Sequence, residues 1–322
     1  MKLKGSIAAL VTPFVDDKEQ SVNREKLAEL VQLHAVSNTA GIVPCGTTGE
    51  SPTLLDEEWE TVVSTVIEVA RHTNLKVIPG TGSNSTREAL RLTERAAELG
   101  ADACLVVTPY YNRPSPEGVL AHFQELDKVG IPLILYNIPS RTGINLGVDL
   151  IMELCDKCPS ISGLKASNGD LDQITEVIYK SSSRLGRSFS VFSGDDSLTL
   201  PILSVGGVGV FSVAANIMPR VMNELVASFM RTDLNQSRSI IHAIHGFCRA
   251  LLQSGSNPAP IKTVMNHAGM KVGSCRKPLV DLSNDKTASL FYELQMMITR
   301  FSAHPVAYDD ILTKFYDPTL DK

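Results

Sequence analysis

The sequence predicts a (β/α)8 TIM barrel, an α/β fold, with a C-terminal helical appendage. Three observations carry that expectation. Apolar runs of strand length alternate eight times with segments of helical period over roughly the first 215 residues, which is the repeat a barrel requires. Strand signals then stop near residue 218, and the rest of the chain reads as helices alone. No complete GxGxxG follows the first strand, so the doubly wound nucleotide-binding sheet, the competing architecture, lacks its diagnostic turn.

The first strand is expected at 7–11. A helix at 23–36 comes next, with apolar Leu27, Leu30, Val31 and Leu33 at helical spacing and Asn23 or Ser21 as its cap. A strand at 39–44 ends in Gly46-Thr47-Thr48-Gly49-Glu50-Ser51, and Asp56 is expected to cap a helix through 72. The third strand, 76–79, precedes a helix opened by Ser85 or Thr86 and running to 99. Strands at 103–107, 132–136, 161–164, 189–193 and 209–213 complete the eight, with helices at 115–129, 148–154, 171–180 and 196–205. In the last of these Pro201 fits the first turn, where no N–H is needed. Further helices are expected at 221–230, 234–253, 260–267 and 285–301. The chain therefore divides into a barrel, residues 1–218, and a helical region, residues 219–322. No low-complexity linker marks the join, so the helices are expected to pack on the barrel or on a neighbouring subunit. Residues 303–322, with two prolines and several charges, read as an arm or a tail.

Composition narrows the function classes. With 43% hydrophobic and 20% charged residues, the 322-residue chain has the balance of a soluble globular protein. No apolar run is long enough to span a bilayer, and the N-terminus lacks the long apolar stretch of a signal peptide, so a cytoplasmic location is expected. A net charge of −5 without a basic stripe argues against nucleic acid as a partner. Six cysteines are too sparse for a disulfide framework and read as reduced thiols. Cys155-Asp156-Lys157-Cys158 is a lone CxxC, and His242 and His245 share a helix face with no third ligand nearby, so no metal site is expected.

In a barrel, chemistry collects at the C-terminal ends of the strands. That rule gathers Gly46 to Ser51, Tyr110-Tyr111-Asn112, Tyr136 to Gly143, Lys165 and Gly194-Asp195-Asp196 on one rim. Lys165 reads in two ways. It is a strand exit whose ammonium reaches water, or a nucleophile whose charged form is desolvated, freeing a neutral amine to condense with a ketone. Thr47 and Thr48, set between glycines, suit a small carboxylate or form an ordinary tight turn; the lysine of a nucleotide phosphate loop is missing. Tyr136 relays a proton or fills the core, and Tyr110-Tyr111 packs or meets another subunit. Arg141 offers a two-pronged fork for a carboxylate or simply faces solvent.

The stretches Val11-Thr12-Pro13, Gly46-Thr47-Thr48-Gly49-Glu50-Ser51, Gly80-Thr81-Gly82, Thr108-Pro109-Tyr110-Tyr111-Asn112, Tyr136-Asn137-Ile138-Pro139-Ser140-Arg141-Thr142-Gly143, Gly163-Leu164-Lys165 and Ser193-Gly194-Asp195 occur in the order of a known family. From Gly5 to Pro278 the chain resembles the dihydrodipicolinate synthase and N-acetylneuraminate lyase superfamily of class I aldolases, its synthase branch above all. The resemblance implies that Lys165 forms a Schiff base with pyruvate, held by Thr48, Gly194 and the backbone around Phe211. It implies a proton relay of Tyr136, Thr47 and Tyr111, the last from a neighbouring subunit, and hence a homo-oligomer, usually a tetramer of tight dimers. It also implies that Arg141 holds the carboxylate of L-aspartate 4-semialdehyde, that no cofactor or metal is used, and that the product serves diaminopimelate and lysine synthesis.

Three departures stand out. Ala166 follows the lysine where the synthases usually carry glutamate. Of the family's lysine effector site, Ser51, Asn84, Glu88 and Tyr110 are matched, while Asp56 and Trp59 replace histidines, Trp59 being able to cover a bound lysine. The chain also runs past the family's usual end. A sister lyase that cleaves a sugar-derived 2-keto acid, such as N-acetylneuraminate or a 2-keto-3-deoxy acid, would share Lys165 and Tyr136. Such lyases usually lack the arginine of Ser140-Arg141-Thr142, which favours the synthase. A non-catalytic metabolite-binding barrel is the remaining alternative, but every relay residue is present.

Overall fold

Each of the eight apolar runs forms a strand, and apart from the exposed Lys76 the strands are buried almost throughout because both of their faces are covered. They are β1 (Gly5–Ala9), β2 (Gly41–Val43), β3 (Lys76–Val77), β4 (Cys104–Val107), β5 (Leu133–Asn137), β6 (Ile161–Ala166), β7 (Ser190–Ser193) and β8 (Gly209–Ser212). The structure is a computed structural model and describes residues 3–302 apart from residue 187; the expected arm or tail at 303–322 lies outside the described residues. The strands run parallel in the order β3-β2-β1-β8-β7-β6-β5-β4. A parallel bridge between Gly80 and Leu105 closes the remaining seam. There the Thr81 N–H donates to the Leu105 carbonyl at 3.1 Å, and the Leu105 N–H to the Pro79 carbonyl at 2.9 Å. Gly80 is required by space: a Cβ at that position would lie 2.3 Å from the Cys45 carbonyl oxygen.

Alternation along the strands sorts side chains into two layers. Ile7, Val43, Ile78, Leu105, Ile134, Tyr136, Phe192 and Phe211 fill the barrel. Phe192 and Phe211 meet there edge to face, with centroids 5.0 Å apart. Outward-facing Ala8, Ile42, Val106, Leu135, Leu164, Val191 and Val210 belong to the larger core beneath the helices.

The helices are α1 (Arg24–Val36), α2 (Asp56–Ala70), α3 (Thr86–Leu99), α4 (Pro116–Asp127), α5 (Pro139–Thr142), α6 (Val148–Lys157), α7 (Leu171–Arg184), α8 (Thr199–Ser204), α9 (Pro219–Met230), α10 (Leu234–Gln253), α11 (Ala259–His267) and α12 (Asn284–Ser302). Asn23 caps α1 by accepting the Lys26 N–H, and Ser115 caps α4 by accepting the Gly118 N–H. Asp56, by contrast, is not a cap. It is the first residue of α2, after Leu55, whose N–H donates to the Glu58 carboxylate at 2.9 Å. Its charge still suits the positive end of the helix. The segment expected as one helix at 196–205 splits into a 3-10 turn, Asp196–Leu198, and α8, which holds Pro201 in its first turn.

Beyond the strands, α9 lies against β1 and β8, and α10 packs on α9, α12 and the Asp196 turn. Among the described residues no helix is long and apolar enough to cross a membrane. All six cysteines are buried thiols. Burial pushes those of Cys104 and Cys275 up to about 12 and that of Cys158 to about 11.

Candidate active site

On β6 the alternation that turns Leu164 outward turns Lys165 into the barrel. Lys165 sits within the strand, one residue before its end, and is only 7% exposed. In the register it lies opposite Tyr136 on β5 and Phe192 on β7. Its Nζ is 4.1 Å from the centroid of the Tyr136 ring and 5.4 Å from that of Phe211. The aromatic faces attract the ammonium while keeping water from it.

Two carboxyl groups follow on β7's exit. Burial holds the Asp195 carboxyl above the usual carboxylate range, against the pull of Lys165 and Arg249. Asp196 is pushed up to about 6 by burial, although it accepts the Val213 and Ala214 N–H groups at 3.1 and 3.0 Å. Gly194 beside them donates its N–H to the Ala166 carbonyl at 2.7 Å, so its backbone lies against the residue after Lys165.

The threonine loop leaves β2 in a turn so tight that Gly49 could carry no side chain: a Cβ would lie 2.9 Å from the Cys45 nitrogen. Glu50 adopts the left-handed conformation with φ +55°. The loop closes on itself through the Glu50 N–H to the Thr47 carbonyl at 3.2 Å, and Thr12 donates to the Gly49 carbonyl at 2.7 Å. Thr48 is 3% exposed, and its hydroxyl oxygen accepts an N–H of the Asn257 amide at 2.9 Å. The Glu50 carboxylate pairs with Lys262 at 2.5 Å and accepts the Arg276 N–H at 2.8 Å. Burial lowers the Lys262 pKa, against the pull of Glu50. Sequence reasoning missed Asn257, Lys262 and Arg276. The one available signal was a lysine standing in the apolar run from Ala259 to Met265.

Arg141 is exposed on α5, a helix the sequence did not announce. It lines a cleft of about 460 Å³ with Tyr110, Tyr111, Arg113 and Ser140. Arg113, a second guanidinium unremarked in the sequence, packs over Gly143; a Cβ on that glycine would lie 2.4 Å from its Nε. Tyr111 stands in the loop after β4 with φ +70° and is 89% exposed.

Lys165, Tyr136 and Phe211 are thus in contact, Thr47, Thr48 and Gly194 sit on the same rim, and Tyr111 lines the cleft of Arg141. The residues expected to form a lysine effector site come from several elements. Ser51 opens a 3-10 turn, and the Asn84 carbonyl accepts an N–H of Asn112 at 2.8 Å beside the Tyr110 loop. Trp59 is buried, its indole N–H donating to the Gly80 carbonyl at 3.2 Å. Glu88 is held by Arg91 at 2.6 Å, and the same guanidinium reaches Asp56 at 2.9 Å. That hydrogen bond keeps the Glu88 carboxyl below its ordinary range. His242 and His245 are exposed, and among the described residues no three His, Cys, Asp or Glu side chains are grouped to hold a metal ion.

Residues 2–297 match the sequence model of the dihydrodipicolinate synthetase family. The 4-hydroxy-tetrahydrodipicolinate synthase of Aquifex aeolicus is 44% identical over 288 residues, covering 89% of this chain and 95% of that enzyme. Among solved structures, the chloride-inhibited dihydrodipicolinate synthase of Acinetobacter baumannii in complex with pyruvate superposes with a TM-score of 0.85 at 38% identity, covering 92% of this chain and 99% of that one. The Cyanidioschyzon merolae enzyme with lysine bound gives a TM-score of 0.86 at 35% identity, covering 92% and 98%. With its closed barrel, its lysine in the sixth strand and this likeness along nearly its whole length, the chain belongs to the dihydrodipicolinate synthetase family.

Proposed function

We propose that the chain is a lyase of the 4-hydroxy-tetrahydrodipicolinate synthase type, joining pyruvate to L-aspartate 4-semialdehyde on the route to diaminopimelate and lysine. The observation that carries this reading is Lys165, an amine almost out of water inside the barrel mouth, with the Tyr136 and Phe211 rings against it. The nitrogen so placed is the nucleophile that a carbonyl substrate entering the barrel mouth would meet. The names and bound ligands of the relatives support the choice of substrates.

In this reading the Lys165 nitrogen attacks the ketone carbon of pyruvate and water leaves, giving an imine. The protonated imine draws electrons from the adjacent methyl group, which loses a proton and becomes the nucleophilic carbon of an enamine. That carbon attacks the aldehyde, and the new alkoxide takes up a proton. Tyr136, Thr47 and a Tyr111 reaching in from a neighbouring copy form the relay for these transfers. Thr48, Gly194 and the backbone at Phe211 hold the pyruvate carboxylate, and Arg141 holds that of the second substrate. The substrate's own amine then attacks the imine carbon and expels Lys165, closing the ring and restoring the enzyme. The protonated imine formed on the chain's own lysine serves as the electron sink, so the reaction needs no cofactor and no metal.

The same reading makes residues 1–218 the catalytic barrel and residues 219–322 the C-terminal helical region, in a cytoplasmic homotetramer. Ser51, Asn84, Glu88, Tyr110 and Trp59 are its proposed site for lysine as an inhibitor, a ligand that the Cyanidioschyzon relative binds.

Trapping tests the mechanism. After pyruvate and borohydride, the intact mass should rise by one reduced pyruvate per chain in the wild type and not in Lys165→Ala, because reduction fixes a Schiff base covalently. A folded wild type that takes no label would overturn the reading. Turnover of L-aspartate 4-semialdehyde with none of N-acetylneuraminate would fix the second substrate.

A further inference from the structure

The inference rests on the reading that the threonine loop holds the pyruvate carboxylate. A hydroxyl has one proton to give and two lone pairs to accept with. Thr48 is 3% exposed, and Asn257 already delivers an N–H to its oxygen at 2.9 Å. The Thr48 proton is therefore left to donate elsewhere, and a carboxylate is a pure acceptor.

Asn257 does not come from the barrel. It lies immediately ahead of Pro258 and α11, in the helical region, and α11 is itself pinned beneath the same loop. Lys262 on α11 is 1% exposed; it pairs with Glu50 at 2.5 Å, donates to the Ser274 carbonyl at 3.3 Å and lies 4.2 Å from the Phe14 ring centroid. The Arg276 N–H holds the other Glu50 oxygen at 2.8 Å. Two residues of one loop, Thr48 and Glu50, are thus each held by a residue of one short segment, the first through a hydrogen bond and the second through a buried ion pair.

We infer that Asn257 is a positioning residue: its amide turns the Thr48 hydroxyl so that the proton points at the carboxylate of the bound 2-oxo acid, and the Glu50–Lys262 pair fixes the register between loop and helix. Such preorganisation removes the cost of reorienting the donor when the acid arrives.

Asn257→Asp is close to isosteric and reverses the bond, because a carboxylate accepts the Thr48 proton. Wild type, Asn257→Asp and Asn257→Ala are labelled with borohydride over a range of pyruvate concentrations, and intact mass gives the half-saturating concentration. The expected shift is about tenfold upward for Asn257→Asp and about threefold for Asn257→Ala, the scale of one hydrogen bond to a charged group. At saturating pyruvate, kcat should stay within about twofold and the KM for the aldehyde should be unchanged, since neither depends on pyruvate capture. In the double variant Thr48→Val/Asn257→Asp, half-saturation should match that of Thr48→Val alone. A fall in kcat and melting temperature with half-saturation unmoved in either folded variant would overturn the inference, as would additive effects in the double variant. A wild type that takes no label overturns the Schiff-base reading instead, and the inference falls with it.

Discussion

Tyr136 and Lys165 are direct partners across β5 and β6, and the ammonium of one lies 4.1 Å from the ring centroid of the other. One residue therefore offers two separable things, a ring face and a hydroxyl. Tyr136→Phe keeps the face and deletes the hydroxyl. Its kcat should fall by roughly 10²- to 10⁴-fold, the usual size of a lost acid–base group, with little change in melting temperature. Borohydride should still trap pyruvate on the variant, more slowly, and a variant that retained full turnover would remove Tyr136 from the relay.

Arg141 should act on the second substrate alone. Replacing it with alanine removes charge-assisted hydrogen bonds of about 1.5–3 kcal/mol, so the KM for L-aspartate 4-semialdehyde should rise roughly 10- to 100-fold. Half-saturation of pyruvate trapping should not move. Steady-state kinetics in each substrate separates the two.

The Glu50–Lys262 pair is out of water on both sides, with side-chain exposures of 0% and 1%. Breaking it from one side strands a buried charge. Lys262→Met should cost about 3–5 kcal/mol in urea unfolding, and Glu50→Gln/Lys262→Met should recover much of that loss. Equal losses in the single and double variants would mean that packing, not charge, dominates at this position.

Two histidines set an acid limit. His34 and His122 are buried, with Nδ1 near Thr39 Oγ1 at 3.2 Å and Thr86 Oγ1 at 3.0 Å, and burial pushes both down to about 4. The unfolded chain takes up protons at the ordinary histidine value of about 6.5, before the folded chain does, so stability falls as pH drops from there towards 4. Asp196 opposes this between about 6 and 4, since the fold already holds its proton. Melting curves across that range should show His34→Gln/His122→Gln losing less stability on acidification than the wild type.

The strands were legible because they are short, mostly apolar runs set off by glycine or proline, and α10, expected at 234–253, forms as Leu234–Gln253. Lys165 was legible for the same reason, a single charge ending an apolar run. Edges were less so. Asp56 looked like a cap, but Glu58 reaching back to the Leu55 N–H sets the start of α2 one residue earlier, a competition between two acids that spacing does not decide. Asn257 and Arg113 were invisible because their meaning is a contact. Asn257 meets Thr48 across 209 positions of chain. Arg113 matters because Gly143 leaves room for it, which no local pattern encodes.

The bridge from Gly80 to Leu105 has a consequence at the scale of many molecules. An open sheet ends in two rows of unpaired N–H and C=O groups, each a template on which another chain can add a strand. Here the seam ties β3 to β4, and the ring of strands has neither a first nor a last member. Growth by strand addition, the route to fibres, has nowhere to begin while the fold is intact. Among the described residues, what faces outward for any contact between copies is loops and helices, where exposed side chains such as Tyr111 already stand.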